Sequence, residues 1–66
     1  MHRRLIEKIE ENYNGGTIIT RKFEGDKYAT YNSFEALDKN NKTLWLSDIM
    51  YDCDYIDSCK YAIDNQ

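Results

Sequence analysis

The stretch "RRLIEKIEENYNGGTIIT", residues 3–20, contains a change of period. Up to Tyr13 the apolar side chains Leu5, Ile6, Ile9 and Tyr13 recur at helical spacing, with Arg3, Glu7, Lys8, Glu10 and Glu11 on the remaining side. That pattern predicts an amphipathic helix over residues 3–13, with Arg3 and Glu7 as an i,i+4 ion pair. "NGG" at 14–16 reads as its stop, because Asn and Gly tolerate the left-handed conformation of a helix C-cap. From Thr17 onward Thr, Ile, Phe and Tyr alternate with polar residues, which is strand chemistry.

Working outward from there, residues 17–24 and 27–37 are expected to be antiparallel strands joined at Gly25-Asp26. That turn sets Glu24 opposite Lys27 and Phe23 opposite Tyr28. Ser33 could instead cap a short helix. Continuing the alternation is preferred, because it places Phe34 and Ala36 on the face of Ile19 and Phe23. "DKNNK" at 38–42 is a second turn, and residues 43–47 are a third strand. A loop at Asn40-Asn41 would pair Leu37 with Leu44 and Ala36 with Trp45. A three-residue loop would pair Ala36 with Leu44 and Phe34 with Leu46. The second register is favoured, because it collects Ile19, Phe23, Phe34, Ala36, Leu44 and Leu46 on one face. Ile18, Tyr31, Leu37 and Trp45 then fall on the other.

The chain ends in "DIMYDCDYIDSCKYAID", residues 48–64. A helix over 52–64, capped by Asp52, puts Tyr55, Ile56, Cys59, Ala62 and Ile63 in one apolar arc. Asp54, Asp57, Lys60, Tyr61 and Asp64 lie on the opposite side. The expected architecture is α+β: a single domain, 1–66, ordered α-β-β-β-α. Its three-stranded antiparallel sheet carries two helices packed on one face.

Composition narrows the function classes. A chain of 66 residues is small, and its six Tyr, two Phe and one Trp offer core area that few aliphatic side chains supply. Pro and Val are absent while Ile, Lys, Asn, Tyr and Asp are plentiful. This is the bias of AT-rich coding, as in low-GC bacteria, phages or plasmids. Net charge is −3, and the acidic excess lies in the second half. Such a chain is poorly suited to binding nucleic acid through phosphates. No apolar run is long enough to span a bilayer, and no apolar core follows the basic N-terminus as in a signal peptide. The expected location is cytoplasmic, away from membranes, with Cys53 and Cys59 reduced.

Motifs for chemistry are sparse. Asp48, Asp52, Asp54 and Asp57 lack the Gly and distal Glu of a calcium loop. Cys53 and Cys59 lack zinc or CxxC spacing, and the lone His2 is terminal. No metal, cofactor or catalytic set is expected, and the chain does not read as an enzyme.

The remaining reading is a small acidic protein-binding module. Its candidate partner-binding residues are Asp48, Asp54, Asp57, Tyr61, Asp64, Tyr31 and Trp45, and its partner is a basic protein surface. By analogy of size and charge, such a module would occupy the nucleic-acid-binding groove of a host defence enzyme. That would make it a DNA-mimic inhibitor of the anti-CRISPR or anti-restriction kind. One alternative is an accessory or self-associating domain, a homodimer through an open sheet face around Trp45 and Tyr31. A second is a small nucleic-acid binder using Arg3, Arg4, Arg21, Lys22 and Lys27.

Overall fold

The computed structural model describes residues 4–25, 29–51 and 54–66. Its elements in chain order are β1 (Arg4–Tyr13), β2 (Gly16–Glu24), β3 (Thr30–Leu37), β4 (Thr43–Leu46), β5 (Met50–Tyr51) and α1 (Ile56–Asp64). The strands form one antiparallel sheet ordered β1-β2-β3-β4, with β5 also pairing β3. The fold is α+β, but with four principal strands and one short helix. The expectation of a three-stranded sheet under two helices is therefore corrected.

The largest correction falls on residues 3–13. Arg4–Tyr13 is a strand, and Arg3 lies outside the described residues. Asn14 (φ 45°) and Gly15 (φ 83°) are both left-handed, and Tyr13 pairs with Gly16 across them. Two consecutive left-handed residues fit the two-residue hairpin turn that matches strand twist. A lone helix of about ten residues is marginal in water, whereas here the same residues pair along β2. Of the side chains read as the helix's wet face, Glu7 is a cross-strand ion partner of Lys22 at 3.8 Å, and nearby Arg4 meets Glu24 across the same pair of strands at 2.8 Å. A register shift between Leu5 and Glu7 bends the outer part of the strand.

The next connection overturns the assignment of faces. Gly25 donates its N–H to the Ala29 carbonyl at 2.8 Å, so residues 25–29 make the loop and Phe23 pairs with Tyr31. Glu24 pairs with Thr30 and Phe23 with Tyr31, in place of the expected pairs with Lys27 and Tyr28 across a Gly25-Asp26 turn. Asp26, Lys27 and Tyr28 themselves lie outside the described residues. The change of parity turns β3 over relative to β2, because side chains alternate strictly. Ile18, not Ile19, shares a face with Phe34 and Ala36.

At 38–42 both registers considered from sequence occur in part. Asp38 and Lys42 close a three-residue loop, with Asn41 left-handed at φ 64°. The Asp38 carboxylate accepts the N–H groups of Asn40 and Lys42 at 2.8 and 2.9 Å. Leu37 then pairs with Thr43, but Ala36 pairs with Trp45, leaving Leu44 as an extra residue. This bulge carries Trp45 onto the face of Ala36, and both Leu44 and Trp45 pack against the core.

That face carries the helix. Ile18, Phe34, Ala36, Cys59 and Ile63 form the buried cluster, with Tyr13, Leu44, Trp45, Tyr55, Ile56 and Ala62 around it. The apolar arc of α1 thus faces the sheet. Gly16 lets it approach: a Cβ there would lie 2.6 Å from the Leu37 carbonyl oxygen and 3.0 Å from Ile63 Cδ1. α1 begins at Ile56, later than the expected residue 52, and its N-cap position is Tyr55, which makes no side-chain cap bond. Asp52 lies outside the described residues, and Asp54 accepts the Ile56 N–H at 3.0 Å in a local i,i+2 bond just before the helix.

Ile19 is on the uncovered face yet only 5% exposed. Glu10 and Glu35 lie opposite it on the neighbouring strands, and Arg21 is two positions along its own. Arg21 bonds Glu35 at 3.0 Å, and Thr43 donates to the other Glu35 oxygen at 2.7 Å. The bonded, part-buried Arg21 and Glu35 are thus the polar neighbours of Ile19 on the face that α1 does not cover.

Candidate protein-docking surface

A chain of aromatic rings links the core to the surface at one edge of the sheet. Phe34 meets the Tyr55 ring edge-on at 6.1 Å, and Tyr55 meets Trp45 at 5.7 Å. Such pairs fix ring orientation as well as burying area. Trp45 is half-buried, with its outer side bordering two shallow depressions. One, of about 450 Å³, is lined by Trp45, Asp57, Ser58, Tyr61 and Ala62. The other, of about 370 Å³, is lined by Trp45, Leu46, Ser47, Asp48, Met50 and Tyr55.

Ser47 holds this edge together. Its hydroxyl oxygen accepts the Phe34 N–H at 2.8 Å, and its own N–H donates to the Phe34 carbonyl at 2.9 Å. The Ser33 hydroxyl donates to the Ser47 carbonyl at 3.4 Å. A side-chain oxygen thus stands in where the ladder from β4 to β5 is interrupted, so a buried N–H is not left bare.

The structure divides the seven candidate residues. Asp48, Asp57, Tyr61 and Trp45 come together around the two depressions. Tyr61 is 71% exposed and Leu46 58%, both large side chains left in water. Among the described residues neither Asp48 nor Asp57 forms a salt bridge. The patch is therefore apolar and aromatic with uncompensated negative charge at its rim.

The other three candidates lie elsewhere. Asp54 accepts the Ile56 N–H just before α1 and lines a separate groove beside Ile9 and Glu11. Asp64 accepts hydrogen bonds from the Tyr13 hydroxyl and the Asn14 side-chain amide, each at 2.8 Å. It fastens the end of α1 to the β1–β2 turn, and its carboxylate raises the Tyr13 pKa above the usual phenol value, mainly through that hydrogen bond. Tyr31 pairs with Phe23 on the face away from Trp45, so an open face shared by Trp45 and Tyr31 does not exist.

The residues considered for nucleic-acid binding are engaged where they are described. Arg4 pairs with Glu24, Arg21 with Glu35, and Lys22 with Glu7. Arg3 and Lys27 lie outside the described residues. Glu35 is held below the ordinary carboxylate range by the Thr43 hydrogen bond, with Arg21 adding to it against the opposing effect of burial. Cys59 is fully buried, and burial, with the Glu35 charge, pushes its thiol up to about 11. That is the opposite of an activated nucleophile. Cys53 and His2 lie outside the described residues. No helix among the described residues is long and apolar enough to cross a membrane.

Sequence reasoning missed Leu46 and Met50 as parts of the patch. The available signal was the apolar run "LWL" beside a polar break at "SD". Leu46 lies opposite Glu35, on the face away from α1 and at the sheet's edge, and is left exposed there. Compared with protein-family models, curated proteins and solved structures, the chain finds no match in any of the three.

Proposed function

We propose that this chain is a non-enzymatic protein-binding module that docks a basic partner surface on the β4–α1 edge. The observation that carries this reading is the half-buried Trp45 between two depressions, with Tyr61 and Leu46 exposed beside it and Asp48 and Asp57 on the rim. Trp and Tyr anchored in a packed scaffold, ringed by charge, are the composition of a binding hot spot. The rim aspartates would speed encounter with a Lys- and Arg-rich partner and reject acidic ones.

A finer reading is that the partner is a nucleic-acid enzyme of a host defence system and that this chain inhibits it. Net charge and small size support that reading. The dispersal of Asp54 and Asp64 away from Asp48 and Asp57 favours a local hot spot over an extended copy of a phosphate backbone. If the partner's nucleic acid is displaced on binding, the inhibitor reading stands. If both bind together, it fails.

The test uses immobilised wild type and an Asp48→Lys/Asp57→Lys/Tyr61→Ser variant, each exposed to the same cell extract at low and high salt. A protein retained by wild type, lost from the variant and released by salt supports the proposal. Identical retained sets overturn it. These three side chains are exposed and outside the structural bonds of Asp54 and Asp64, so the variant should stay folded.

A further inference from the structure

A different edge of the sheet carries a second inference, independent of the Trp45 surface. Among the described residues β1 pairs only with β2, and it lies at the edge of the sheet remote from β4. Nine of its ten residues are exposed. Leu5, Ile6 and Ile9 are 49%, 46% and 42% exposed, an unusual investment of apolar surface in an outer strand. α1, at about 1.5 Å per residue, is far shorter than β1 at about 3.4 Å per residue, and among the described residues it does not cover the outer part of β1, whose residues 4–12 are exposed. A groove of about 320 Å³ opens there, with Ile9, Phe34 and Ile56 among its lining and Glu7, Glu11 and Asp54 as its carboxylates.

We infer that β1 accepts an extended segment of a partner protein as an additional antiparallel strand, with basic residues flanking an apolar one. The main-chain edge supplies hydrogen bonds, and the side chains on the helix side supply selectivity. Glu7, Ile9 and Glu11 alternate along that side, so the matching segment reads basic-x-apolar-x-basic. Lys22 offsets Glu7 only at 3.8 Å, and the groove keeps an acidic excess.

A second copy of this chain is a poor occupant. Two-fold pairing of β1 about Lys8 sets Lys8 against Lys8, and pairing about Glu10 sets Glu10 against Glu10. Pairing about Ile9 sets Glu7 against Glu11 twice, which offsets its two Lys8–Glu10 pairs. Like charges directly opposite one another are unfavourable in a sheet. The charges that blunt this edge against itself are those that admit a basic strand.

The test adds a blocked peptide with the core Lys-Thr-Val-Thr-Lys to isotope-labelled protein, beside a control with Glu in place of Lys. The expected result is shifts and slowed hydrogen exchange at the amides of residues 7–11, weakened by salt and absent with the control. Glu7→Lys/Glu11→Lys should weaken the Lys peptide by roughly tenfold and let the Glu peptide bind. Both side chains are exposed, and the variant's amide spectrum reports whether it is folded. No perturbation of β1, perturbation confined to the Trp45 edge, equal binding of both peptides, or a β1–β1 dimer in sedimentation overturns the inference.

Discussion

Gly15 and Gly16 are adjacent and are needed for different reasons, which alanine in its two mirror forms separates. At Gly15 the backbone is left-handed (φ 83°), and nothing lies within 4 Å of where a Cβ would stand. The cost of Gly15→Ala is therefore conformational, about 1–2 kcal/mol for an L-residue in that region. At Gly16 the Cβ would meet the Leu37 carbonyl oxygen at 2.6 Å and Ile63 Cδ1 at 3.0 Å. The Ile63 methyl can turn aside, but the backbone oxygen moves only with the end of β3. Gly16→Ala therefore forces strand and helix apart, an overpacking cost of about 1–3 kcal/mol. For a domain this size each kcal/mol lowers Tm by roughly 4–8 °C. A D-alanine at position 15 adopts positive φ without strain and restricts the unfolded chain, so it should equal or exceed wild type by up to about 1 kcal/mol. The chain is short enough for chemical synthesis, and thermal unfolding followed by Trp45 fluorescence gives the comparison. Equal loss from L- and D-alanine at position 15, or a neutral Gly16→Ala, would refute the reasoning.

Three further outcomes follow from named contacts. Ser47→Ala strips the Phe34 N–H of its buried acceptor and should cost about 1–3 kcal/mol in urea unfolding, with faster exchange at that amide; an unchanged midpoint contradicts this. In a Cys53→Ser background, native Cys59 should react with a thiol reagent far more slowly than in urea. Its raised pKa also predicts stability that is full below the free-thiol value of 9.0 and lost as pH rises toward about 11, and Cys59→Ala should flatten that slope. Glu35 has the opposite sign. Its lowered pKa gives stability that is present above the ordinary glutamate range and lost as pH falls through its own lower value, so Glu35→Gln should show a shallower acid slope than wild type.

The sequence revealed the α1 arc and the strand character of residues 17–24 and 30–37, because in both the period is clean and the apolar residues face one neighbour. It misled at residues 4–13, where Leu5, Ile6, Ile9 and Tyr13 satisfy a helical stripe while Glu and Lys satisfy either period. What decides that segment is "NG" at 14–15, which is a helix stop when read locally and a hairpin turn once β2 is there to pair with. The faces went wrong for a narrower reason. The reversal between Gly25 and Ala29 moves the partner of Phe23 by three residues, from Tyr28 to Tyr31, and the bulge at Leu44 shifts its strand by one. Both odd shifts exchange faces, and neither leaves a mark in the pattern of its own strand. Because Trp45 rides on that bulge, its place beside Asp57 and Tyr61 could not be read without the register. Asp54 and Asp64 were placed on the wet side of their helix, but each finds a donor: Asp54 takes the Ile56 N–H just before α1, and Asp64 latches to Tyr13 and Asn14.

The most direct test of this account is the pattern of short proton–proton contacts along residues 4–13 in the folded protein. Cross-strand contacts linking Ile9 with Thr20 and Glu11 with Ile18 are predicted by the β1–β2 register. Sequential amide–amide contacts and i,i+3 contacts from Leu5 to Tyr13, without those cross-strand contacts, would contradict it. They would also remove both the hairpin turn and the β1 edge on which a partner strand is proposed to add.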